Sequence, residues 1–358
     1  MQELKLNKEK WTRVLLGDII YEPKETAKDI IKAGFEHIVG LEHIDSEDIH
    51  LKNSFTNDTD TTFTKVFRKG DVLFGRRRAY LKKAAQANFD GVCSGDITVL
   101  RANHHLDENL LPFLIQNEKF FDYAIKHSAG GLSPRVKFKD LANYGFLLPP
   151  KEQQAELAEL LWAMDEVIEK DLVVLGKLEK LVKSKRNSMV NSGVQIPLRE
   201  ILILNYGKAL KDSERIKGDF SVVSSSGIQG THNASMVVGP GIVIGRKGNA
   251  GEIIWVNDDF WVIDTAYYAV INEEYKSYPL KGIYHLLKSI DFKKDVTATA
   301  VPGLNRDDAL NRFIHIPSKI EMVEFTSQIE IIETTINESQ SKIQSSKAFQ
   351  KSLINQLF

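Results

Sequence analysis

Two sets of side chains in this sequence could bind a charged partner or act on one. The first is basic. Arg76-Arg77-Arg78, with Lys82 and Lys83 beyond Tyr80, is the densest positive run in the chain, and Arg246-Lys247 forms a smaller one. A guanidinium can pair bidentately with guanine or grip a phosphate. Arg135, Lys137 and Lys139 follow the Gly130-Gly131 turn, while Asn305 and Arg306 follow Pro302-Gly303. Basic groups beside glycine-rich loops suit close approach to an anionic backbone. Lys208 and Lys211, with Arg215, are weaker candidates, and every one of these residues has the alternative of a solvated loop or helix face. The second set is acidic. Asp264 followed by Glu274-Tyr275-Lys276 has the residue types of a metal-dependent nuclease, in which carboxylates hold a metal and lysine supports the attacking water. Asp96 is the counterpart of Asp264 in a repeat described below but has no Glu-x-Lys after it. Both aspartates read as buried, and the preferred role for each is to accept local hydrogen bonds.

Other chemistries lack their parts. His37 and His43 stand alone, and His104-His105 in an extended segment would point to opposite sides, so no metal site is expected. The glycines from 239 to 251 are not followed by Gly-Lys-Ser/Thr and make no Walker A loop. One cysteine, Cys93, excludes a disulfide within the chain and any cysteine-based zinc finger, and fits a reduced, cytoplasmic setting. The first ten residues are charged and carry no apolar run, which argues against a signal peptide, and no apolar stretch is long enough to span a bilayer. A formal charge of −1 over 358 residues does not favour a polyanion as partner, but local patches outweigh totals in such binding.

The elements that must position these residues come in duplicate. Gly70-Asp71-Val72-Leu73-Phe74-Gly75 before the first arginine run matches Pro240-Gly241-Ile242-Val243-Ile244-Gly245 before the second. Gly95-Asp96-Ile97-Thr98-Val99-Leu100 matches the stretch from Ile263 to Tyr268. Pro134, Val136, Asp140 and Pro149 match Pro302, Leu304, Asp308 and Pro317. From Asp96 and Asp264 onward the offset is a constant 168 residues. The starts agree as well, Leu16-Gly17-Asp18-Ile19-Ile20 with Leu198-Arg199-Glu200-Ile201-Leu202. Short β-rich runs (72–74, 97–100, 242–244, 253–256, 266–271) and helical runs (110–127, 280–288) give each unit a mixed α/β character.

Each unit ends on proline and a long helical stretch. Leu157, Leu161, Met164, Ile168, Leu172, Leu175 and Leu178 follow Pro150. Phe325, Ile329, Ile332, Ile336, Ser339, Ile343, Ser346, Gln350, Leu353 and Leu357 follow Pro317. The steps of three and four are those of a heptad seam, with Glu156, Glu159, Glu169, Lys177 and Lys180 on the other faces. The first helix, about 151–189, ends before Asn191-Ser192-Gly193. Its simplest partner is the second helix, packed antiparallel because one globular unit separates them in sequence. Packing of each helix on its own unit is the alternative.

Two units, each closed by proline and a long helix, with Gly130-Gly131-Leu132-Ser133-Pro134, Lys139-Asp140-Leu141 and the helix entry Pro149-Pro150-Lys151-Glu152-Gln153-Gln154, resemble the specificity (S) subunit of type I restriction–modification systems. The second copy is looser, with Pro302-Gly303-Leu304-Asn305-Arg306-Asp307-Asp308 and no Gln-Gln pair after Pro317. The resemblance implies an α+β fold: two similar mixed α/β target-recognition domains (1–150 and 193–317) separated by two long antiparallel helices (151–192 and 318–358) forming a coiled coil. It implies double-stranded DNA as ligand and two methyltransferase (M) subunits on the helices, with motor-nuclease (R) subunits joining through the complex. S-adenosylmethionine would belong to the M subunits, ATP and magnesium to the R subunits, and no cofactor, metal or membrane to this chain. In that family residues 1–11 would pack near the second helix. The chain also lacks the Asn/Asp-Pro-Pro-Tyr/Phe motif of adenine methyltransferases, so it is expected to be non-catalytic. Since Arg76-Arg77-Arg78 and Arg246-Lys247-Gly248 differ, the expected target is bipartite with unlike halves. The alternatives are a nuclease built on Asp264, Glu274 and Lys276, and a coiled-coil interaction protein without a DNA role.

Overall fold

The structure, a computed structural model, describes residues 8–56, 61–190, 192–297 and 303–358. Pro302 and Asn191, and residues 1–7 of the N-terminal segment, lie outside them. The chain forms two compact units, Met1–Leu172 with Ser341–Phe358, and Val173–Gln340.

In the first unit, β1 (Thr12–Leu15), a single turn α1 (Leu16–Ile19) and β2 (Ile20–Tyr21) precede β3 (His37–Val39), β4 (Phe55–Thr56), β5 (Lys65–Phe67) and β6 (Val72–Gly75). Then come β7 (Ala84–Gln86), β8 (Gly91–Cys93) and β9 (Ile97–Ala102), followed by α2 (Leu111–Ile115), α3 (Glu118–Lys126), α4 (Phe138–Leu141) and β10 (Gly145–Leu148). Helix α5 (Lys151–Val190) starts here and continues into the second unit. The strands form sheets ordered β2-β9-β6-β7 and β4-β3-β8-β5 and a pair β1-β10. The first sheet is antiparallel, whereas β3 and β8 run parallel. The apolar run Val72-Leu73-Phe74 is unbroken because β6 is buried on both faces. Val72 and Phe74 join the core beneath α2 and α3, and Leu73 joins the core under the second sheet.

The second unit repeats this plan. It comprises β11 (Val194–Pro197), α6 (Leu198–Ile201), β12 (Leu202–Tyr206), β13 (Phe220–Ser224), β14 (Gly227–His232), β15 (Gly241–Gly245), β16 (Ile253–Val256), β17 (Phe260–Val262) and β18 (Ala266–Ile271). After them come α7 (Leu280–Leu287), β19 (Val296–Thr297), β20 (Gly303–Leu304), α8 (Arg306–Leu310), β21 (Phe313–Ile316) and α9 (Lys319–Leu357), which ends in the first unit. The order β12-β18-β15-β16 reproduces β2-β9-β6-β7, and β13 pairs parallel with β17 as β3 does with β8. The pair β11-β21 matches β1-β10. Central strand β15 is again two-faced, Ile242 and Ile244 towards one core and Val243 towards another.

The helical seam falls where the three–four spacing puts it. In the first unit Leu157 and Leu161 of α5 share a core with Leu353, Ile354 and Leu357 of α9. Asp171 pairs with Lys342, and the Leu161 carbonyl accepts from Gln350, so the paired numbers run in opposite directions and the helices are antiparallel there. In the second unit Val182 shares a core with Met322, Phe325, Ile329 and Ile332. The unit at the entry to α5 explains Gln153 and Gln154. The Gln153 side chain accepts from the Trp11 indole, and Gln154 accepts from the Asp107 amide and donates to the carbonyls of His105 and Pro149. Lys8 Nζ donates to the carbonyls of Gln356 and Leu357 at the end of α9, which places residue 8 beside the second helix.

One expected helix is broken. The run 110–127 divides into α2 and α3 because fully buried Asn117 caps α3, accepting from the amides of Lys119 and Phe120 while its own amide donates to the Ile354 carbonyl. Among the described residues no helix is long and apolar enough to cross a membrane.

Candidate nucleic-acid interface

The basic residues converge at one equivalent place in each unit, the end of the central strand β6 or β15. Gly75 and Gly245 close these strands, and their amides donate to the carbonyls of Lys83 and Glu252. At Gly245 a Cβ would lie 2.1 Å from the Asn249 carbonyl oxygen, so only glycine lets the chain fold back there. The next residue is arginine in both units. The Arg76 amide donates to the Asp96 carbonyl and its carbonyl accepts from Val136. The Arg246 amide donates to Thr265 and its carbonyl accepts from Leu304. One residue on, Arg77 is bridged to Arg135 and Lys247 to Gly303. The structure thus aligns Arg76 with Arg246 and Arg77 with Lys247 by their backbone partners as well as by sequence.

The side chains then differ. In the first unit Asp96 Oδ2 accepts from Arg77 Nη1 at 3.2 Å and Oδ1 from Arg135 Nε at 2.7 Å. Partial burial works against ionisation of Asp96, but the two guanidiniums outweigh it and hold the carboxyl below its usual range. Arg77 also donates to Ser133 Oγ. The Nε–H groups of Arg76 and Arg77 are buried and unpartnered among the described residues. Arg78 is exposed, with φ 54°, and its amide donates to the Pro134 carbonyl. Left-handed backbone on a side chain other than glycine costs about 1–2 kcal/mol and concentrates at functional positions. In the second unit the ring of Tyr206, about half exposed, has two guanidiniums over it, those of Arg246 at 4.8 Å and Arg306 at 5.3 Å from its centroid. Sequence reasoning missed Tyr206. Its partners lie 40 and 100 positions further along the chain, and an exposed tyrosine at a strand end gives no signal by itself.

Other basic candidates are placed as follows. Lys82, also left-handed (φ 47°), points to Glu47 and Glu118 at 3.5 and 3.6 Å, and Lys83 donates to the Leu41 carbonyl. Both are half-buried in ion pairs or hydrogen bonds of the first unit. Lys137 and Lys139 are exposed at α4. Asn305 caps α8 by accepting from the amides of Asp307 and Asp308, which engages its carbonyl oxygen in the fold. Lys208 and Lys211 are exposed, and the Lys208 carbonyl takes the Trp261 indole hydrogen. Arg215 pairs with Asp212.

Three expectations need correction. Asp264 is exposed and Asp96 half-buried, where both were expected to be buried, and the Asp96 carboxylate accepts from Arg77 and Arg135 far along the chain rather than from local groups. His104 and His105 sit in a turn with ring centroids 3.8 Å apart, not on opposite faces of an extended segment. Asp264 precedes β18 and Glu274 follows it, so a six-residue strand of about 20 Å lies between them, and Lys276 pairs instead with Glu273. Among the described residues no group of three or more histidine, cysteine, aspartate or glutamate side chains could hold a metal ion.

Residues 8–173 match the family model of the type I restriction modification DNA specificity domain. Over 131 residues, 36% of this chain, the sequence is 29% identical to the type I restriction enzyme EcoDI specificity subunit of Escherichia coli, and the match spans 29% of that relative's length. The fold is similar over 99% of this chain, and 98% of the other, to the type I restriction-modification system S subunit from M. genitalium, with TM-score 0.68 and 16% identity. It is also similar, at TM-score 0.57 and 18% identity over 99% and 98% of the two chains, to a chain from a structure that describes complex assembly and conformational transition of the type I R-M system. Residues 8–173, somewhat under half of the chain, thus match the type I restriction modification DNA specificity domain, and the fold of the whole chain is similar to that of a type I restriction–modification S subunit.

Proposed function

We propose that the chain gives sequence specificity to a type I restriction–modification complex by binding a bipartite, asymmetric duplex DNA target. Residues 1–150 and 193–317 are the two readers, and 151–192 and 318–358 are the helical spacer that carries two M subunits and, through the assembly, R subunits. The chain itself is non-catalytic: methyl transfer with S-adenosylmethionine and ATP- and magnesium-dependent work belong to the partners. One observation carries the reading. Two homologous modules bring basic side chains to the same strand end, Arg76, Arg77, Arg78 and Arg135 in one and Arg246, Lys247 and Arg306 in the other, on a backbone frame that is otherwise repeated. A repeated frame with unlike side chains is what reading two different half-sites requires. Arginine serves both parts of such a contact, phosphate for position and guanine for sequence.

The test is a gel shift of the full chain with its methyltransferase partners across a salt series. If about four phosphates are neutralised, affinity falls about 100-fold between about 50 and 200 mM salt. Binding that does not change with salt, or no retention of duplex at low salt, overturns the reading. Replacing Arg76, Arg77 and Arg78 by alanine weakens DNA binding without unfolding the chain, as thermal unfolding of the variant checks.

A further inference from the structure

We propose that Leu132 is an apolar wedge that enters the base stack of the bound duplex. The inference rests on the reading of the chain as a DNA binder and adds to it a contact that basic residues cannot make. Leu132 is 98% exposed, more than any other large apolar side chain among the described residues. It is not on a slack segment. The amides and carbonyls of Ala129 and Arg135 bond to each other at 3.0 and 2.9 Å and close a loop of residues 130–134. The Pro134 carbonyl takes the Arg78 amide hydrogen, the Ser133 hydroxyl takes one from Arg77, and Arg77 and Arg135 share Asp96. Gly130 has φ 117°, a conformation open to glycine, and a Cβ on Gly131 would meet nothing within 4 Å. The loop is therefore narrow on one side of the leucine and pinned on the other.

Its surroundings select the partner. The Arg77 and Arg135 side chains share the Asp96 carboxylate beside the loop, and the main chains of Arg76 and Arg78 bond to Asp96, Val136 and Pro134 next to it. A lone leucine inside a positive collar suits a ligand with an apolar interior behind an anionic surface, and duplex DNA has that layering: stacked bases between phosphate strands. Proteins that insert leucine or similar side chains between base steps unstack and kink the duplex there. An acidic peptide would satisfy the arginines but would not reward a single pinned leucine with no apolar neighbours beside it in the loop.

The experiment uses the full chain assembled with its methyltransferase partners and the duplex that this complex selects from a random-sequence pool. Permanganate reactivity of thymines and 2-aminopurine fluorescence, scanned along the selected duplex, report unstacking. The unchanged complex is expected to expose one step, and Leu132→Ala to abolish that signal and weaken binding about fivefold to tenfold while the salt slope is unchanged. Leu132→Met restores the signal. If Leu132→Ala leaves the unstacking signal intact, with or without weaker binding, the wedge is wrong and DNA binding stands. If no duplex is selected at any salt, the DNA reading fails and the wedge with it.

Discussion

Asp96 shows how much one residue can set at a basic site. It ties Arg77 to Arg135 across two loops and so both aims and partly neutralises the arginines that face the proposed ligand. Asp96→Asn keeps the shape and one acceptor but removes the charge. Affinity for random-sequence duplex is then expected to rise about threefold to tenfold, the salt slope to steepen by about one, and preference for the selected target to fall. Nitrocellulose filter binding with both duplexes checks this. Weaker binding to both would show that Asp96 acts only by position. In the second unit Tyr206 takes the corresponding task through its ring, while Asp307 pairs with Arg306 at 3.6 Å. Tyr206→Phe should hold Arg246 and Arg306 in place, while Tyr206→Ala should loosen both and weaken binding, since each cation–π contact contributes about 0.5–1 kcal/mol at an exposed position. The arginines themselves were legible, because clusters of like charge stand out in any sequence. Their partners were not. Asp96 is 19 residues from Arg77 and 39 from Arg135, and no local pattern marks a pairing that only the fold-back of two loops creates.

At the scale of elements, the long helices were the most readable part, because a seam repeated every three or four residues accumulates signal that a single turn cannot. Fully buried Ile329 lies on that seam and 65%-exposed Ile331 off it. Ile329→Ala should cost about 2–5 kcal/mol and Ile331→Ala less than about 0.5 kcal/mol, as judged by the midpoints of urea unfolding. The break at Asn117 was unreadable for the opposite reason. Its cap geometry is local, but the choice of a break over a continuous helix depends on the Ile354 carbonyl far along the chain. Helix α5 is also held to its unit by a titrating pair. His50 Nε2 lies 2.7 Å from Asp165 Oδ2 on α5. That hydrogen bond, opposed by burial and helped by the charges of Asp165, Asp48 and Glu169, raises the His50 pKa above 6.5. A raised histidine pKa means the folded state holds the proton more tightly. The contribution is therefore complete below about pH 6.5 and is lost as pH rises through the folded value. Stability of the unaltered chain should fall over that interval more than that of His50→Gln, which thermal unfolding at a series of pH values will resolve. Equal pH dependence in the two proteins would remove His50 as its source.

For the whole molecule, the repeat carries the functional argument. Two copies of one strand order could have kept identical side chains, and a symmetric target would follow. Instead the first unit holds Arg77 and Arg135 on an acid, Asp96, and the second holds Arg246 and Arg306 at an aromatic ring, Tyr206. The fold was legible from the constant offset of 168 residues between landmarks, and the unlike basic runs were legible with it, whereas the partners that distinguish the two sites, Asp96 in one and Tyr206 in the other, emerged only from the structure. Because each basic group is built from residues of its own unit, the two should act independently on the target. Arg76→Ala is expected to relax base preference in one half of the selected sequence and Arg246→Ala in the other, each by about 1–3 kcal/mol if the arginine reads a base. In the double variant the losses should add to within about 0.5 kcal/mol. Selection from a random-sequence pool with each variant complex gives the preferences position by position. If both substitutions relaxed the same half, two independent readers could not be the origin of the bipartite target. If either lowered affinity uniformly without altering any position, that arginine would be a phosphate contact, and base reading in that unit would fall to its neighbours.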